Sequence, residues 1–350
     1  MPEVAVAGFA QAPNVRETPG TTNGVEMLVP IFAEVFAATG LAKEDIGFWC
    51  SGSSDYLAGR AFSFIAAVDA IGAFPPIHES HVEMDAAWAL YEAWLKIRTG
   101  EVDTALVYGF GKASAGQLRR VLALQLDPYV GTPLWPDSLA IAGLQARLGL
   151  EAGLWSEKDL AEVAARSRAD AIGNPAAQLS GEVDAARLLD TPYVADPLRA
   201  HDIAPVTDGA AVIVLASAER AKDLVDRPAI LTGLEHRVDS PVLGARDLTR
   251  SPSTEAAARV LDLDGVEVAE LHTPFTHQEL IVRDALGLGS GVRITPSGGA
   301  LTGNPMFSAG LARIGEAAAR IHRGEARKAL AHATSGPALQ QNLLAVLEAR

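Results

Sequence analysis

WALYEAWLKIRTGEVDTALVYGFG, residues 88–111, carries the strongest signal for the fold, because LARIGEAAARIHRGEARKALAHATSG, residues 311–336, repeats its pattern. Each segment predicts an amphipathic helix, a Gly-Glu turn and a short apolar strand that ends in small residues. Aligning Gly100 with Gly324 gives an offset of 324 − 100 = 224. The same offset pairs Glu92 with Glu316, Ile97 with Ile321, Ala105 with Ala329 and Leu106 with Leu330. The repeat therefore indicates two related α/β units.

A second pair of segments lies within a residue or two of the same offset. EDIGFWCSG, residues 44–52, falls opposite VEVAELHTPF, residues 266–275, and each predicts an apolar strand that runs into a turn. We interpret the chain as two halves, residues 1–220 and residues 221–350. The stretch from about residue 113 to 204 is rich in proline and contains predicted helices, so we expect it to be a helical insertion in the first half.

The composition narrows the class of protein. The chain has 350 residues, of which 49% are apolar, and this is typical of a globular α/β protein of roughly two domains. Lys and Arg total 29 while Asp and Glu total 43, so the formal net charge is −14 and no basic block predicts nucleic-acid binding. No apolar run reaches the roughly 18 residues that a membrane span needs.

The expected compartment follows from the N-terminus and the cysteine content. MPEVAVAGFAQAP predicts a short strand rather than a signal peptide, because it has no basic leader. Cys50 is the sole cysteine, which excludes an internal disulfide and is typical of a reducing cytosol. We therefore expect a cytoplasmic protein.

HTPFTHQE, residues 272–279, raises the question of a metal or acid–base site. His272 and His277 are five residues apart, a spacing that separates two side chains on a helix and places them on opposite faces of a strand. Pro274 also interrupts any helix between them. A metal pair is not predicted, and both acid–base chemistry and packing stay open.

Four segments resemble a known family in order and spacing: PLRAHDIAPVTDGAAVIVL, ELHTPFTHQELIVRDALGLG, ITPSGGALTGNPMFSAGLARIGEA and LAHATSGPA. Together with the repeat, they resemble the thiolase superfamily, in the branch of sterol carrier protein X and the actinobacterial lipid-transfer-protein thiolases. The resemblance implies an α/β thiolase fold. Such a fold has two related halves with mixed five-stranded sheets in a layered αβαβα arrangement, and a helical insertion in the first half.

The chain differs from this family at the positions of the family's catalytic residues. The family's nucleophilic cysteine begins a buried helix, and in ESHVEMDAAWAL the register places Glu83 there, or Met84 if it is off by one. The histidine of the family's Gly-His-Pro loop is Asn304 in TGNP, and the second cysteine falls near Ala333 or Thr334. Because thiolysis needs a thiolate to carry the acyl group, we do not expect ordinary thiolase activity.

The resemblance nevertheless assigns candidate catalytic residues. His272 falls where the family lines its oxyanion pocket, so it either polarises a thioester carbonyl, moves a proton, or only caps a strand end. Glu83 is either a base or a first-turn residue stabilised by the helix dipole. Asn304 can hydrogen-bond an oxyanion but cannot carry a proton. His332 is expected to end the last strand, where the family strand reaches the active site.

Ligand-binding candidates are less well marked. The turn glycines Gly298, Gly299 and Gly303 permit close backbone approach to a ligand, and their N–H groups could hold an enolate oxygen, although such turns are also common without function. Asp55 and Tyr56 are placed at the mouth or at a dimer interface. Candidate contacts to coenzyme A, chosen by position alone, are Arg199, Arg119 and Arg120.

The resemblance implies a carbon–carbon lyase that cleaves a β-hydroxyacyl-CoA by retro-aldol chemistry without a cysteine nucleophile. The substrate class is a steroid or sterol side-chain CoA thioester; coenzyme A enters only as part of it, and no covalent cofactor or metal is expected. The implied partners are a second thiolase-like chain, in a homodimer or heterodimer, and a DUF35 protein with an OB-fold. The alternative is a non-catalytic subunit that scaffolds a catalytic paralogue and the DUF35 partner. Neither nucleic acid nor membrane is an expected partner.

Overall fold

The computed structural model describes residues 1–19, 24–55, 63–72 and 74–350. The strands in these ranges are β1 (Val4–Gln11), β2 (Phe48–Gly52), β3 (Glu79–Val82), β4 (Thr104–Lys112), β5 (Tyr193–Ala195), β6 (Leu198–Arg199), β7 (Val206–Ser217), β8 (Ala229–Val238), β9 (Val268–Leu271), β10 (Arg293–Ile294), β11 (Asn304–Pro305), β12 (Lys328–Ser335) and β13 (Gln341–Ala349). The helices are α1 (Val25–Thr39), α2 (Ser63–Ile71), α3 (Ala86–Arg98), α4 (Leu118–Leu124), α5 (Gly131–Leu134), α6 (Ser138–Glu151), α7 (Glu157–Asp170), α8 (Ala185–Leu188), α9 (Ala218–Ala221), α10 (Pro252–Ala258), α11 (Thr276–Ala285) and α12 (Ala309–His322).

Two mixed five-stranded arrays form the centre of the molecule. The first has the order β1-β7-β4-β2-β3 and the second has the order β8-β13-β12-β9-β10. Each begins with two antiparallel pairings and ends with two parallel ones. Equivalent strands therefore occupy equivalent places, and the predicted pair of related α/β halves is confirmed.

The two arrays also join, which the sequence does not predict. Strands β1 and β8 run antiparallel and pair Ala5 with Ile230 and Val6 with Ala229. All four side chains are buried, so the junction lies inside the core. The hydrogen-bonded strands consequently form one continuous sheet, to which β11 adds beside β7.

The repeat found in the sequence corresponds to equivalent elements of structure. Helix α3 and strand β4 in the first half match α12 and β12 in the second at the offset of 224. Gly100 and Gly324 each follow the helix with φ of 76° and 73°, a left-handed conformation that favours glycine. This part of the sequence prediction is confirmed.

The second pair of segments is equivalent in topology but not at the predicted offset. Phe48 of β2 pairs with Ala105, and Val268 of β9 pairs with Ala329. The offset of β9 from β2 is therefore 268 − 48 = 220, not within a residue or two of 224. The prediction was wrong because the chain between the paired strands is four residues longer in the second half, 329 − 268 = 61 against 105 − 48 = 57.

Helices and sheets alternate in five layers. Helices α3 and α12 contact each other between the two arrays, and their apolar faces share one core with both sheets. Helices α1 and α2 cover the outer face of the first array. Helices α10 and α11 cover the outer face of the second. The predicted αβαβα layering follows from these contacts.

One carboxylate begins both inner helices. Oδ1 of Asp85 accepts hydrogen bonds from the backbone N–H of Ala87 at 2.9 Å and of Leu311 at 3.0 Å, and Oδ2 accepts one from Gly310 at 2.9 Å. Gly310 must be glycine for this approach, because a Cβ there would lie 2.6 Å from Oδ1 of Asp85 and 2.7 Å from the Cβ of Ala333. The N-termini of α3 and α12 therefore converge on one point.

The predicted helical insertion is confirmed as helices α4 to α8, and it packs against the segment after β9. Ala142 and Ala146 of α6 pack with Leu198 and with the partly buried Phe275. Around them, the N–H of Ala204 donates to the carbonyl of Pro274 at 2.8 Å. The insertion therefore covers the end of the second array. Among the described helices, none has the length and apolarity to cross a membrane.

Candidate active site

A cavity of about 380 Å³ lies where the insertion meets the converging ends of the inner helices. Its apolar lining includes Leu122, Leu126 and Ile141 from the insertion. Its polar lining includes Glu83, Asp85, His272, Asn304 and Thr334. Of the predicted catalytic residues, the structure brings His272, Asn304 and Glu83 to this cavity.

His272 follows β9 directly and is fixed from three sides. Its backbone N–H donates to the carbonyl of His332 at 3.1 Å. Its Nδ1 accepts a hydrogen bond from the N–H of Thr334 at 3.4 Å, and its Nε2 lies 3.0 Å from Oδ1 of Asn304. Nδ1 accepts a hydrogen bond, so in the neutral ring it carries no proton. The ring proton is therefore on Nε2, which donates it to Oδ1 of Asn304. The ring is thus held as the neutral Nε2–H tautomer.

Burial reinforces that neutral state. Desolvation lowers the pKa of His272 to about 4, with the positive charge of Arg313 acting in the same direction and the hydrogen bond to Asn304 opposing it. A histidine with this pKa is uncharged at neutral pH. The arrangement therefore favours a polarising or positioning role for His272 over proton transfer near neutral pH.

Asn304 is the residue that His272 orients. Its backbone pairs with Val206 in β11, and its Oδ1 is occupied by the His272 ring. The side-chain Nδ2 donors must then point away from His272, and among the described residues none accepts from them. An amide N–H pair on the cavity wall can stabilise a developing oxyanion.

Glu83 reaches the cavity from a different element than the sequence predicts. Helix α3 begins at Ala86 with Asp85 as its N-cap, so Glu83 lies before the helix and just after β3. The predicted place at the helix N-terminus was wrong by two to three residues, because the capping carboxylate is Asp85. The side chain of Glu83 is 53% exposed, with Oε2 3.6 Å from Nε2 of His81. Met84, the alternative at this position, lines the cavity as well.

His332 and the three glycines do not line the cavity. His332 is fully buried, and its Nε2 lies 2.8 Å from Oδ1 of Asn342. Strand β12 continues to Ser335 and β13 follows, so His332 does not end the last strand as predicted. A Cβ on Gly298, Gly299 or Gly303 would meet Ala171, Thr295 and Asn14 respectively, so these glycines allow the chain to approach itself.

The sole cysteine, Cys50, does not line the cavity and lacks the properties of a nucleophile. Cys50 lies within β2, is fully buried, and its Sγ is 3.7 Å from Oε2 of Glu92. Burial, followed by the negative charge of Glu92, raises the pKa of the thiol far above its usual range. A thiol in this state is a poor nucleophile. With no other cysteine in the sequence, the cavity has no thiol to carry an acyl group.

The remaining candidates have other surroundings. His277 begins α11 as predicted and is packed, with its Nε2 3.1 Å from Oε1 of Gln145. Arg199 is engaged inside the protein, where its Nε donates to the carbonyl of Thr191 at 2.9 Å and its guanidinium lies over the Tyr193 ring. Arg119 pairs with Asp137 on the surface. Tyr56 lies outside the described residues.

Sequence reasoning missed the backbone that shapes this cavity. Phe307, Ala338 and Leu339 line it with φ of 69°, 51° and 59°, values that side-chain-bearing residues rarely adopt. Such strain persists where surrounding contacts impose it and often marks functional sites. Arg246 supplies one such contact, donating to the carbonyls of Ala338 at 2.9 Å and Pro337 at 2.8 Å. The sequence offers no signal for left-handed Ala or Leu.

Two curated relatives illustrate the similarity in sequence. An acetyl-CoA acetyltransferase of Methanothermobacter thermautotrophicus is 29% identical over 198 residues, covering 49% of this chain and 51% of that protein. The non-specific lipid-transfer protein-like 2 of Caenorhabditis elegans is 25% identical over 276 residues, covering 66% of this chain and 67% of that protein. The chain spans about half the length of the first curated relatives that it matches. No protein-family model matches it.

Solved structures match over nearly the whole chain. The acetyl-CoA acetyltransferase of Bacillus anthracis superposes with a TM-score of 0.81 at 17% identity, covering 100% of this chain and 99% of that one. The chain has the thiolase fold. A second structure with this fold, the Ltp2-ChsH2(DUF35) aldolase, has a TM-score of 0.79 at 18% identity and covers 99% of this chain and 98% of that one. The thiolase fold and the sequence relatives together connect the chain with the thiolase superfamily, including lipid-transfer homologues.

In chemical terms, this thiolase-fold cavity can bind and polarise but cannot form a thioester with the protein. The Asn304 amide offers donors, the neutral His272 ring orients it, and the Glu83 carboxylate offers an acceptor of protons. Among the described residues, no group of three or more His, Cys, Asp or Glu side chains is arranged to hold a metal ion.

Proposed function

We propose that this protein is a carbon–carbon lyase that cleaves a β-hydroxyacyl-CoA by retro-aldol chemistry. The observation that carries the proposal is a cavity in which the His272–Asn304 pair and the Glu83 carboxylate face one space that has no thiol. A retro-aldol reaction needs a base and an oxyanion site but no acyl-enzyme, and these are the groups present.

Each group has one role in the proposed reaction. Glu83 takes the proton from the β-hydroxyl of the substrate, and the electron pair of that O–H bond becomes the carbonyl of the departing ketone or aldehyde. The Cα–Cβ bond breaks, and its electrons move onto the thioester as an enolate. The Nδ2 donors of Asn304 hold the enolate oxygen, while His272 keeps the amide turned toward it. Glu83 then returns its proton to Cα, which gives the shorter acyl-CoA.

The proposed substrate class is a steroid or sterol side-chain CoA thioester. The steroid class is what the family resemblance implies. The lipid-transfer relative supports a lipid ligand, and the structural likeness to a protein named Ltp2-ChsH2(DUF35) aldolase supports aldol chemistry. The same name supports a DUF35 partner. From the family resemblance we further propose that this partner has an OB-fold and that the chain forms a homodimer or a heterodimer with a thiolase-like paralogue. We propose a cytoplasmic location for this assembly, with no covalent cofactor.

The test is a product assay. The chain is expressed alone, with a DUF35 protein, and with a thiolase-like paralogue, and each preparation receives a β-hydroxy steroid side-chain CoA thioester. Mass spectrometry then detects the ketone and the shorter acyl-CoA. Asn304→Ala should lower the turnover rate by about 10²–10³-fold, the loss typical of one oxyanion donor, and Glu83→Gln by about 10²–10⁴-fold, the range of general-base catalysis. Glu151→Gln, an exposed residue away from the cavity, serves as the matched control.

The same assay decides against the alternative of a non-catalytic subunit. The exposure of Glu83 and the uncharged state of His272 are the observations that favour it. Cleavage that requires the paralogue and survives Glu83→Gln, His272→Ala and Asn304→Ala in this chain would establish a structural subunit and refute the lyase.

A further inference from the structure

A row of polar side chains beside Glu83 has no role in the proposed reaction. Glu79, His81 and Glu83 alternate along β3 and the residue that follows it. Side chains two residues apart lie on the same face of a strand, so these three project to one side. Strand β2 runs parallel to β3, and Ser51 is the register partner of His81. The strand pairing therefore places a histidine between a serine hydroxyl and the Glu83 carboxylate.

The His81 ring is fixed from two sides. Its Nδ1 lies 2.9 Å from Oγ of Ser51, a fully buried residue. The Phe64 ring of α2 stacks on the imidazole, with ring centroids 5.3 Å apart and planes inclined at 26°. Because a hydroxyl both donates and accepts, Ser51 satisfies Nδ1 whether the imidazole is neutral or protonated. The ring can therefore keep one orientation in both states.

The other ring nitrogen of His81 faces Glu83. Nε2 lies 3.6 Å from Oε2, and because a carboxylate only accepts, the proton of this contact is on Nε2. The distance is an electrostatic contact rather than a full hydrogen bond, and such contacts at active sites commonly shorten when the substrate binds. The backbone N–H of Asp55 donates to the other oxygen, Oε1, at 3.3 Å. Each oxygen keeps a second lone pair for a substrate hydroxyl.

The two side chains differ in their freedom to move. His81 is 18% exposed, whereas Glu83 is 53% exposed and by itself has several rotamers available. Glu79 shares the face of the strand, but within the described part of the chain its carboxylate makes no ion pair with His81. The donor on Nε2 is therefore directed at Glu83, and a fixed ring restrains a side chain that is otherwise free.

We infer that His81 is a positioning residue for Glu83, whose carboxylate it holds at the cavity in the orientation that accepts the proton of the substrate. This inference rests on the proposed function, because Glu83 is the base of that reaction. His81 does not itself line the cavity, so it acts only through Glu83. Misplacing a catalytic group by about 1 Å can lower a rate by about 100-fold, which makes such a restraint measurable.

Steady-state kinetics with a β-hydroxy steroid side-chain CoA thioester measure kcat and KM separately. His81→Phe removes the donor but keeps the stack on Phe64, and His81→Leu is a second variant without a donor if the first folds poorly. His81→Gln keeps a neutral N–H donor near the position of Nε2. The control is His78→Phe, at an exposed histidine that does not line the cavity.

We expect His81→Phe to lower kcat about 10–100-fold and to leave KM unchanged within about twofold, because the donor acts on the base and not on substrate binding. His81→Gln should recover most of the lost rate. A rate for His81→Gln no better than that of His81→Phe, or a loss no larger than that of the control, would overturn the inference.

A double-mutant cycle separates positioning from a structural role. In a Glu83→Gln background, His81→Phe should not lower kcat further, because no carboxylate is left to position. A structural role would instead lower the residual rate by the same factor in both backgrounds, and that result would also refute the inference.

Crystal structures of the wild-type protein and of His81→Phe give a readout that does not need turnover. The Glu83 carboxylate should move by more than about 1 Å in the variant, the scale on which misplacement affects catalysis. An unmoved carboxylate would refute the positioning role even in an active lyase. A displaced carboxylate in a protein that cleaves no substrate, alone or with its partners, would refute the lyase and leave the positioning of Glu83 by His81 standing.

Discussion

Replacing Asp85 with alanine should destabilise the protein far more than the loss of an ordinary helix cap. The change removes the N-cap of α3, which costs about 1 kcal/mol. It also leaves the N–H groups of Gly310 and Leu311 buried without an acceptor at the start of α12, each at about 1–3 kcal/mol. The expected loss in the free energy of unfolding is therefore about 3–7 kcal/mol.

That loss converts into a measurable change of the melting temperature. Globular proteins gain about 2.1 cal/mol/K of entropy per residue on unfolding, which is about 0.7 kcal/mol/K for 350 residues. Asp85→Ala should then lower the midpoint by about 4–10 °C in a thermal unfolding experiment followed by circular dichroism. The matched control is Asp184→Ala, which removes an exposed cap that accepts a single hydrogen bond from Ala186 and should cost about 1–2 °C. A shift for Asp85→Ala no larger than that of the control would refute the idea that one carboxylate begins both inner helices.

Three further outcomes are expected. Burial lowers the pKa values of His272, His277 and His332 to about 4, 3 and 4, below the unfolded value of 6.5, so the unfolded state binds more protons. The stability should therefore be complete above about pH 6.5 and should be lost as the pH falls toward 4, which a series of melting temperatures against pH would show. His332→Gln should reduce the slope of the melting temperature against pH, while His78→Gln, at an exposed site, should not. The Cys50 thiol should react with Ellman's reagent at least about 100-fold more slowly in the native protein than in urea, because burial raises its pKa and shields it; fast native labelling would contradict the assigned burial. Arg246→Met removes both hydrogen bonds to the carbonyls of Pro337 and Ala338. It should lower the turnover rate about tenfold, which is equivalent to about 1.4 kcal/mol in the activation free energy. The control Arg250→Met, at an exposed arginine, should leave the rate unchanged.

The sequence predicts much of the fold because the repeat is carried by local chemistry. An amphipathic helix, a left-handed glycine and an apolar strand recur around Gly100 and Gly324, and these patterns hold whatever the tertiary context. The spacing between β2 and β9 was mispredicted because connection lengths differ between the halves, and periodicity carries no information about connections. The junction of β1 with β8 was not predicted for the same reason, since pairing between distant strands leaves no local pattern.

The candidate site was predictable only in part. His272 and Asn304 follow recognisable motifs, and the structure places them 3.0 Å apart although they are 32 residues apart in the chain. The role of Asp85 as a shared cap was not predictable, because two of the three N–H groups that donate to its carboxylate lie more than 200 residues away. The Gln145–Gln278 contact, 133 residues apart, is of the same kind. Side-chain networks between distant elements depend on how those elements pack, and the spacing of residues in a single sequence does not predict that packing.

The pairing of β1 with β8 relates the two halves as if they were subunits of a dimer. Equivalent strands meet antiparallel, with Ala5 beside Ile230 and Val6 beside Ala229, and this is the geometry of an isologous contact about a local two-fold axis. Such an axis would generate two identical sites, but the two halves differ at the residues that form this one. The residue equivalent to Asp85 at the offset of 224 is Ala309, and the helical insertion occurs in the first half alone. The second half therefore contributes His272 and Asn304 to the cavity, and the insertion of the first half covers them. The two halves thus share a strand order, and the differences between them make the cavity at His272 asymmetric.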